Sequence, residues 1–336
     1  AILALGTYWS VQHSESDLIW STFCCVYAVF NSTINSVTDL KQFAMTHYSL
    51  IQNYPYGTYG NGSRCITSFG ASGDGGDDLN WPWYCDVNNV GDFVIADTMN
   101  NRIQTFQTST YRASLQPYYG SEKSPLFGVK SVKSSGIPGT NLVVANTDAQ
   151  EVCLLRADYA KGEINLVNSF GKGFFQEPTD VCVQRGTGNI VVVDTCLHQV
   201  SIHTQSGMLL GFCQQDNFNM SQPSAVAISP TGDIFVSDTG NNCLRQFKCN
   251  GQYVATIGKK GSFVGEFNGP RGIAFDQRGY MFVADEFNNR IQMISPDLRH
   301  FTNAVTNLPL PKGVAANKNL LVTAAASDGF AKVYHP

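Results

Sequence analysis

GDFVIADTMNNRIQTF at residues 91–106 recurs as GNIVVVDTCLHQVSIHT at 188–204, GDIFVSDTGNNCLRQF at 232–247 and GYMFVADEFNNRIQMI at 279–294. A shared aspartate falls at Asp97, Asp194, Asp238 and Asp285. NLVVANTDAQEVCLL is a degenerate fifth copy with Asn146 in that place, and NLLVTAAASDGFAKVYHP is an eroded sixth that sets Ala324 there. Successive spacings from Asp97 to Asp285 are 49, 48, 44 and 47 residues. A period in the mid-forties without an apolar helical period is the signature of four-stranded blades arranged around an axis.

Each good copy follows a Pro and a short apolar run, as in PTDVCV, PSAVAI and PRGIAF, and precedes another β-rich run such as GQYVATIG. One unit is therefore four short strands. Gly-Asp or Gly-Asn before the second strand supplies positive φ for a tight turn, so the inner two strands form a hairpin. The second strands FVIA, IVVV, IFVS and MFVA are apolar on both faces, as expected of a strand sandwiched between neighbouring blades. The Asp that ends this strand is expected to accept amide hydrogen bonds from the turn that follows, where Asn-Asn tolerates left-handed backbone.

The chain breaks off after the third strand of the sixth copy, while GSRCITSFG at 62–70 reads as an outer strand with no inner ones before it. Together they complete one blade, a closure that removes open sheet edges. The sequence thus predicts an all-β, six-bladed propeller over 62–336, with a partly helical N-terminal extension over 1–61.

DTMNNRIQTF and DEFNNRIQMI resemble the NHL repeat, and residues 263–294 match nearly its whole length. The resemblance covers about 62–336 and is weakest at the copies around 146 and 324. It implies a six-bladed ring like the NHL domains of tripartite-motif proteins, some of which hold RNA on a basic rim. Peptidylglycine amidating lyases also resemble this repeat and use several metal-binding His around the channel, an arrangement this sequence does not provide.

The 336 residues carry 22 basic and 26 acidic side chains, a net charge of -4, with no run of like charges that suggests a nucleic-acid arm or a polybasic membrane patch. Only 14% of residues are charged, where a soluble protein averages about 25%. That balance favours an extracellular over a cytoplasmic location. Asn31, Asn61 and Asn219 head N-glycosylation sequons. Ten cysteines permit disulfides or buried free thiols. The uncharged stretch 18–30 is too short to span a bilayer, so no membrane insertion is expected.

Residues 1–61 hold no repeat but are apolar enough to pack, with Trp9, Leu18, Trp20, Phe23, Tyr27, Val29 and Phe30. VTDLKQFAMTHYSLI at 37–51 has helical spacing, with Thr38 or Asp39 as N-cap. The segment reads as a cap on the propeller, or as an interface for a neighbouring chain.

Chemistry is sparse. His198, His203, His300 and His335 are the propeller histidines, and His198 stands in the turn position of Asn101, Asn242 and Asn289. No GxSxG, HExxH, P-loop or CxxC occurs. Asp74, Asp77 and Asp78 could hold Ca²⁺, although a solvated acidic loop fits them better. The expectation is no catalytic residue, no metal and no cofactor.

The inter-blade loops and the Asp-x-x-Asn-Asn-Arg turns should share one rim. Its basic members, Arg102, Lys172, Arg245, Lys259, Lys260, Arg271 and Arg290, with Phe174, Phe175, Phe263 and Phe267, form the expected partner-binding surface. Asp74, Asp77, Asp78, Glu122, Glu177, Glu266 and Glu286 dilute its charge, which lowers the affinity expected for phosphate backbones. The expected function is a non-catalytic platform for protein or glycan partners, or for self-assembly. RNA binding is the alternative, and a metal-dependent lyase-like enzyme a more distant one.

Overall fold

A computed structural model describes residues 65–88, 90–214, 219–316, 320–325 and 330–334. The expected extension over 1–61 with its helix at 37–51, the domain boundary at 61, Asn31, Asn61 and His335 lie outside the described residues. All described residues fall in the second of the two units into which the chain divides, 60–336.

Among the described residues the second unit is built of six antiparallel blade sheets and a separate two-stranded ribbon that pairs Gly120–Ser121 with Ser124–Pro125. Blade 1 starts with Pro82–Val87, Phe93–Asp97 and Arg102–Phe106, and its fourth side is a looser segment bridged at Ile103–Tyr118 and Phe106–Ala113. Blades 2 to 5 run Ser131–Ser134 to Glu163–Phe170, Pro178–Val183 to Leu209–Phe212, Pro223–Ile228 to Tyr253–Ile257, and Pro270–Phe275 to Phe301–Val305. Blade 6 pairs Pro311–Ala316, Leu321–Ala325 and Phe330–Tyr334 with Cys65–Phe69. The expected closure is thus present, with Phe69 opposite Ala331. The innermost strands touch in an unbroken cycle from blade 1 to blade 6 and back.

The local chemistry expected from the repeats is in place. Gly91, Gly188, Gly232 and Gly279 adopt φ of 92°, 70°, 92° and 88°, and each lets the inner strand reverse into the second strand. The second strands are buried throughout. Their side chains fill the clefts between blades: Val94 and Ala96 of blade 1 pack with Val132 and Val144 of blade 2. Phe69 stacks on Phe93 at 5.3 Å and meets Phe106 at 4.8 Å, so the closing strand is held by core aromatics as well as by its ladder.

One register differs from expectation. In blades 1, 3, 4 and 5 the inner-strand Pro pairs with the terminal Asp: Pro82–Asp97, Pro178–Asp194, Pro223–Asp238 and Pro270–Asp285. In blade 6 Pro311 pairs with Ala325. Ala325, not Ala324, therefore holds the aspartate position, because without an Asp the sequence has no mark to fix the frame. All eight described cysteines are free. Burial pushes the thiols of Cys85, Cys153 and Cys213 up to about 12, so they behave as core side chains.

Candidate functional site

The Asp-x-x-Asn-Asn-Arg segments form short 3-10 turns at Thr98–Asn100, Thr239–Asn241 and Glu286–Asn288, each closed by a left-handed Asn: Asn101, Asn242 or Asn289. The aspartates mostly take a different amide from the one expected. Asp97, Asp238 and Asp285 accept from Asn80, Ser221 and Asn268 at 2.6, 2.8 and 2.7 Å, all in the inter-blade loop upstream rather than in the turn downstream. Only Asp194 also takes a backbone amide of the turn, that of Leu197 at 3.0 Å; Asp97, Asp238 and Asp285 reach the turn through the side-chain amides of Asn100, Asn241 and Asn288, each at 2.9 Å. Each aspartate consequently pins loop to turn, and the two share one rim as the sequence predicts.

The rim arginines complete this lock. The Arg102 guanidinium is 1% exposed. Its Nε donates to Asp97 at 2.7 Å, Nη1 to the Asp74 carbonyl and the Tyr119 hydroxyl, and Nη2 to the carbonyls of Gly75 and Asp78. All five donors of the fork are used. Arg290 repeats the pattern on Asp285 and the carbonyls of Phe263 and Glu266. Arg245 pairs with Asp238 at 2.8 Å. The acidic loop 74–78 is spent in the same way: the Asp78 carboxylate turns back to the Gly75 amide and Asp77 accepts from Ala113.

Each Asn side chain reaches forward one blade. Asn101, Asn242 and Asn289 accept from the amides of Gly128, Gly269 and Leu310 at 2.7, 2.9 and 3.0 Å. His198, at φ 53°, does the same through Nδ1 to the Gln222 amide at 2.8 Å. It is a turn residue acting as an acceptor, as its sequence position suggests. His203 is buried among Phe170, Phe174 and Phe175, and burial lowers its basicity. His300 is exposed beside Asp297. These three histidines do not converge, and no group of three or more His, Cys, Asp or Glu is placed to hold a metal among the described residues.

At the axis, register places Trp83, Lys130, Thr179, Ser224, Arg271 and Lys312 at one level, one per blade. Lys130 bonds Glu177 at 2.6 Å, Arg271 bonds Glu286 at 2.6 Å, and Lys312 also reaches Glu286. Lys130 and Lys312 lie 5.1 and 4.8 Å from the Trp83 ring centre. In blades 2 to 4 the residue after the Asp or Asn position is Thr147, Thr195 or Thr239, which donates to the carbonyl of the next blade's Pro at 2.7, 2.7 and 2.6 Å. In blade 5 that residue is Glu286, and Lys312 of blade 6 answers it.

Burial pushes the Glu177 carboxyl up, but hydrogen bonds from Cys196 and Lys130 and the charges of Lys130 and Arg271 outweigh it and hold it below the ordinary carboxylate value. Burial pulls the Lys312 ammonium down; the bond to Glu286 opposes this, while Arg271 and Lys130 add to it. One level deeper, Tyr84 of blade 1 crosses the axis and donates to the Ser224 carbonyl of blade 4 at 2.9 Å. The ring is 1% exposed and floors the mouth.

Around this mouth the rim exposes apolar side chains from several blades: Trp81, Met99, Phe127, Phe174, Phe263, Phe287 and Leu310. Phe263 is 77% exposed, while Phe175 and Phe267 are buried plugs. Trp81, Trp83, Thr98, Met99, Asn101, Gly128, Lys130 and Asp148 line a pocket of about 450 Å³ between blades 1 and 2. Of the basic residues singled out in the sequence, Arg102, Arg245, Arg271 and Arg290 are held in ion pairs of the rim. Lys172 and Lys259 are exposed but lie 3.5 Å from Glu151 and Glu266. Lys260 is exposed, as is Asn219. The sequence did not single out Trp81, Trp83, Tyr84, Met99, Lys130, Asp148 or Lys312. Their one shared signal is position, just before or just inside an inner strand, or in a turn.

The family described as lactonase, 7-bladed beta-propeller matches residues 57–329. The chain belongs to this lactonase propeller family. Its own ring has six blades, so the number in the family's description does not carry over. The NHL resemblance also stands, because this lactonase-family chain has NHL-repeat homologues. Human E3 ubiquitin-protein ligase NHLRC1 is 23% identical over 254 residues, 71% of this chain and 61% of that protein. Rat peptidylglycine alpha-amidating monooxygenase is 31% identical over 166 residues, 45% of this chain and 17% of that protein. The chain therefore spans less than two thirds of either relative.

Among solved structures, a streptogramin B lyase superposes with a TM-score of 0.55 at 12% identity, covering 80% of this chain and 97% of the lyase. A gluconolactonase from Xanthomonas campestris gives 0.59 at 14% identity, covering 77% and 87%. At such identities the likeness is one of fold. The lactonase propeller family and its neighbours include enzymes.

Proposed function

We propose that this propeller is a non-catalytic binding module that receives a protein partner on its loop rim. The observation that carries the proposal is the set of exposed aromatic and aliphatic side chains, from Trp81 round to Leu310, surrounding a mouth closed by Tyr84. Monomers rarely expose many large apolar groups on one face unless something covers them, and Trp, Phe and Met are the types enriched in protein interfaces. A glycan would use the aromatic faces but has little use for Met99 or Leu310. RNA is less favoured, because the rim arginines are tied to Asp97, Asp238, Glu286 and Asp285, which leaves few free cations for phosphate.

The low charge fraction and the exposed Asn219 sequon support placing the module outside the cell. A glycosidase-sensitive mass at Asn219 is the expected result for protein from its native source. To test the function, a photo-crosslinking amino acid is placed at Phe263 on the rim and, separately, at Met208 on the opposite face. The proposal expects one specific protein adduct from position 263 and none from 208. Adducts from 208 alone would reverse the face, and turnover of a lactone by the unmodified protein would replace binding with catalysis.

A further inference from the structure

Trp81 stands in the left-handed region at φ 54°, directly before the inner strand of blade 1. By register, Gly128, Gln222, Gly269 and Leu310 hold the same place, at φ of 55°, 47°, 66° and 43°. Left-handed backbone at this place is therefore a property of the repeat, and what sets blade 1 apart is the bulky aromatic side chain that it carries there. The Trp81 side chain is not consumed by the core: it is 46% exposed and forms one wall of the pocket between blades 1 and 2. Met99 from the adjacent turn forms another.

Two ionised side chains line this pocket, Lys130 and Asp148. Lys130 is neutralised by Glu177 at 2.6 Å. Asp148 has no ion-pair or side-chain hydrogen-bond partner among the described residues. Its carboxylate lies directly over Gly128, where a Cβ would come within 2.0 Å of Oδ2, so only glycine lets it settle against the pocket wall. The pocket thus combines an exposed indole, a thioether and one uncompensated negative charge.

We propose that this pocket takes a single arginine or lysine side chain from the protein partner, its aliphatic stem along Trp81 and Met99 and its cation against Asp148. An indole face beside a carboxylate attracts a cation through both the ring quadrupole and direct charge, and a long basic side chain has the apolar stem that the walls need. The inference rests on the rim being the partner face, and it names the chemistry of one anchor.

The test uses the whole chain and two simple probes, N-acetyl-arginine amide and its uncharged isostere N-acetyl-citrulline amide, followed by chemical-shift changes at the Trp81 indole and the Met99 methyl. Saturable shifts with the arginine probe are expected, weakened at least fivefold for the citrulline probe and for D148N. Asp148 is exposed, so the variant should fold; unchanged thermal unfolding verifies this. Equal shifts from both probes, or binding of N-acetyl-glutamate amide in preference, would overturn the inference. With the native partner, D148N binding like wild type while F263D fails would remove the basic anchor and leave the platform standing. Retention of the partner by both variants would remove the platform as well.

Discussion

Replacing Arg102 with Ala should cost the fold about 3–5 kcal/mol, the range for removing one partner of a buried charge pair. The magnitude follows from what is stranded. Asp97 is 0% exposed and keeps only the Asn80 amide and the Asn100 side chain, while the carbonyls of Asp74, Gly75 and Asp78 lose their donor. Burial already holds the Asp97 carboxyl above its ordinary value, with the bonds from Asn80, Asn100 and Arg102 pulling against it. Without the arginine, the folded protein should prefer a protonated Asp97 more strongly.

The sign follows: a carboxyl whose folded value is raised stabilises the fold less as pH rises through that value, so the deficit of R102A should shrink on acidification and be largest at neutral pH. Urea unfolding followed by circular dichroism at several pH values measures this, with R102K as the control that restores charge but not the five-donor fork. A deficit under about 1 kcal/mol at pH 7 would refute the loop-lock role, as would one that grows on acidification.

Three further outcomes follow from the same contacts. F69A removes the ring that stacks on Phe93 and meets Phe106 and should cost about 3–5 kcal/mol, with early protease cleavage near the closing strand as a second readout. H198N should stay within about 0.5 kcal/mol of wild type, because Asn serves as the same acceptor in three other blades, whereas H198A should lose about 1 kcal/mol. Glu177 has a lowered folded value, so its stabilisation is present above the ordinary carboxylate pKa and lost as pH falls through the lowered one. E177Q should flatten the stability-against-pH curve in that acid window, as measured by thermal unfolding.

The fold was legible because the repeat writes its geometry in residues with few alternatives. Asp ends the second strand, Asn closes the turn in left-handed backbone and Gly opens the hairpin, so four copies suffice to set the period. Where the Asp is lost, at the sixth copy, the frame slipped by one residue. The site was less legible. Arg102 and Arg290 were readable as rim residues, but whether a guanidinium faces a partner or the carbonyls of its own loop depends on loop backbone 24 to 28 residues away.

Tyr84 plugs the axis through a contact 140 residues distant, which no local pattern encodes. Trp81 and Met99 carry no mark in the sequence that sets them apart from other loop and turn residues. Their exposure is a property of the ring, since only the assembled blades bring inter-blade loops and turns onto one face.

The most direct test of the partner-binding rim is the affinity of the photo-crosslinked partner for F263D/F287D and for M208D, measured by calorimetry on folded protein. Two exposed aromatic anchors turned to carboxylates should cost roughly 100-fold or more in affinity, about 3 kcal/mol, while the opposite-face change should leave it within about twofold. Unchanged binding to the double rim variant, with loss at M208D, would contradict the account.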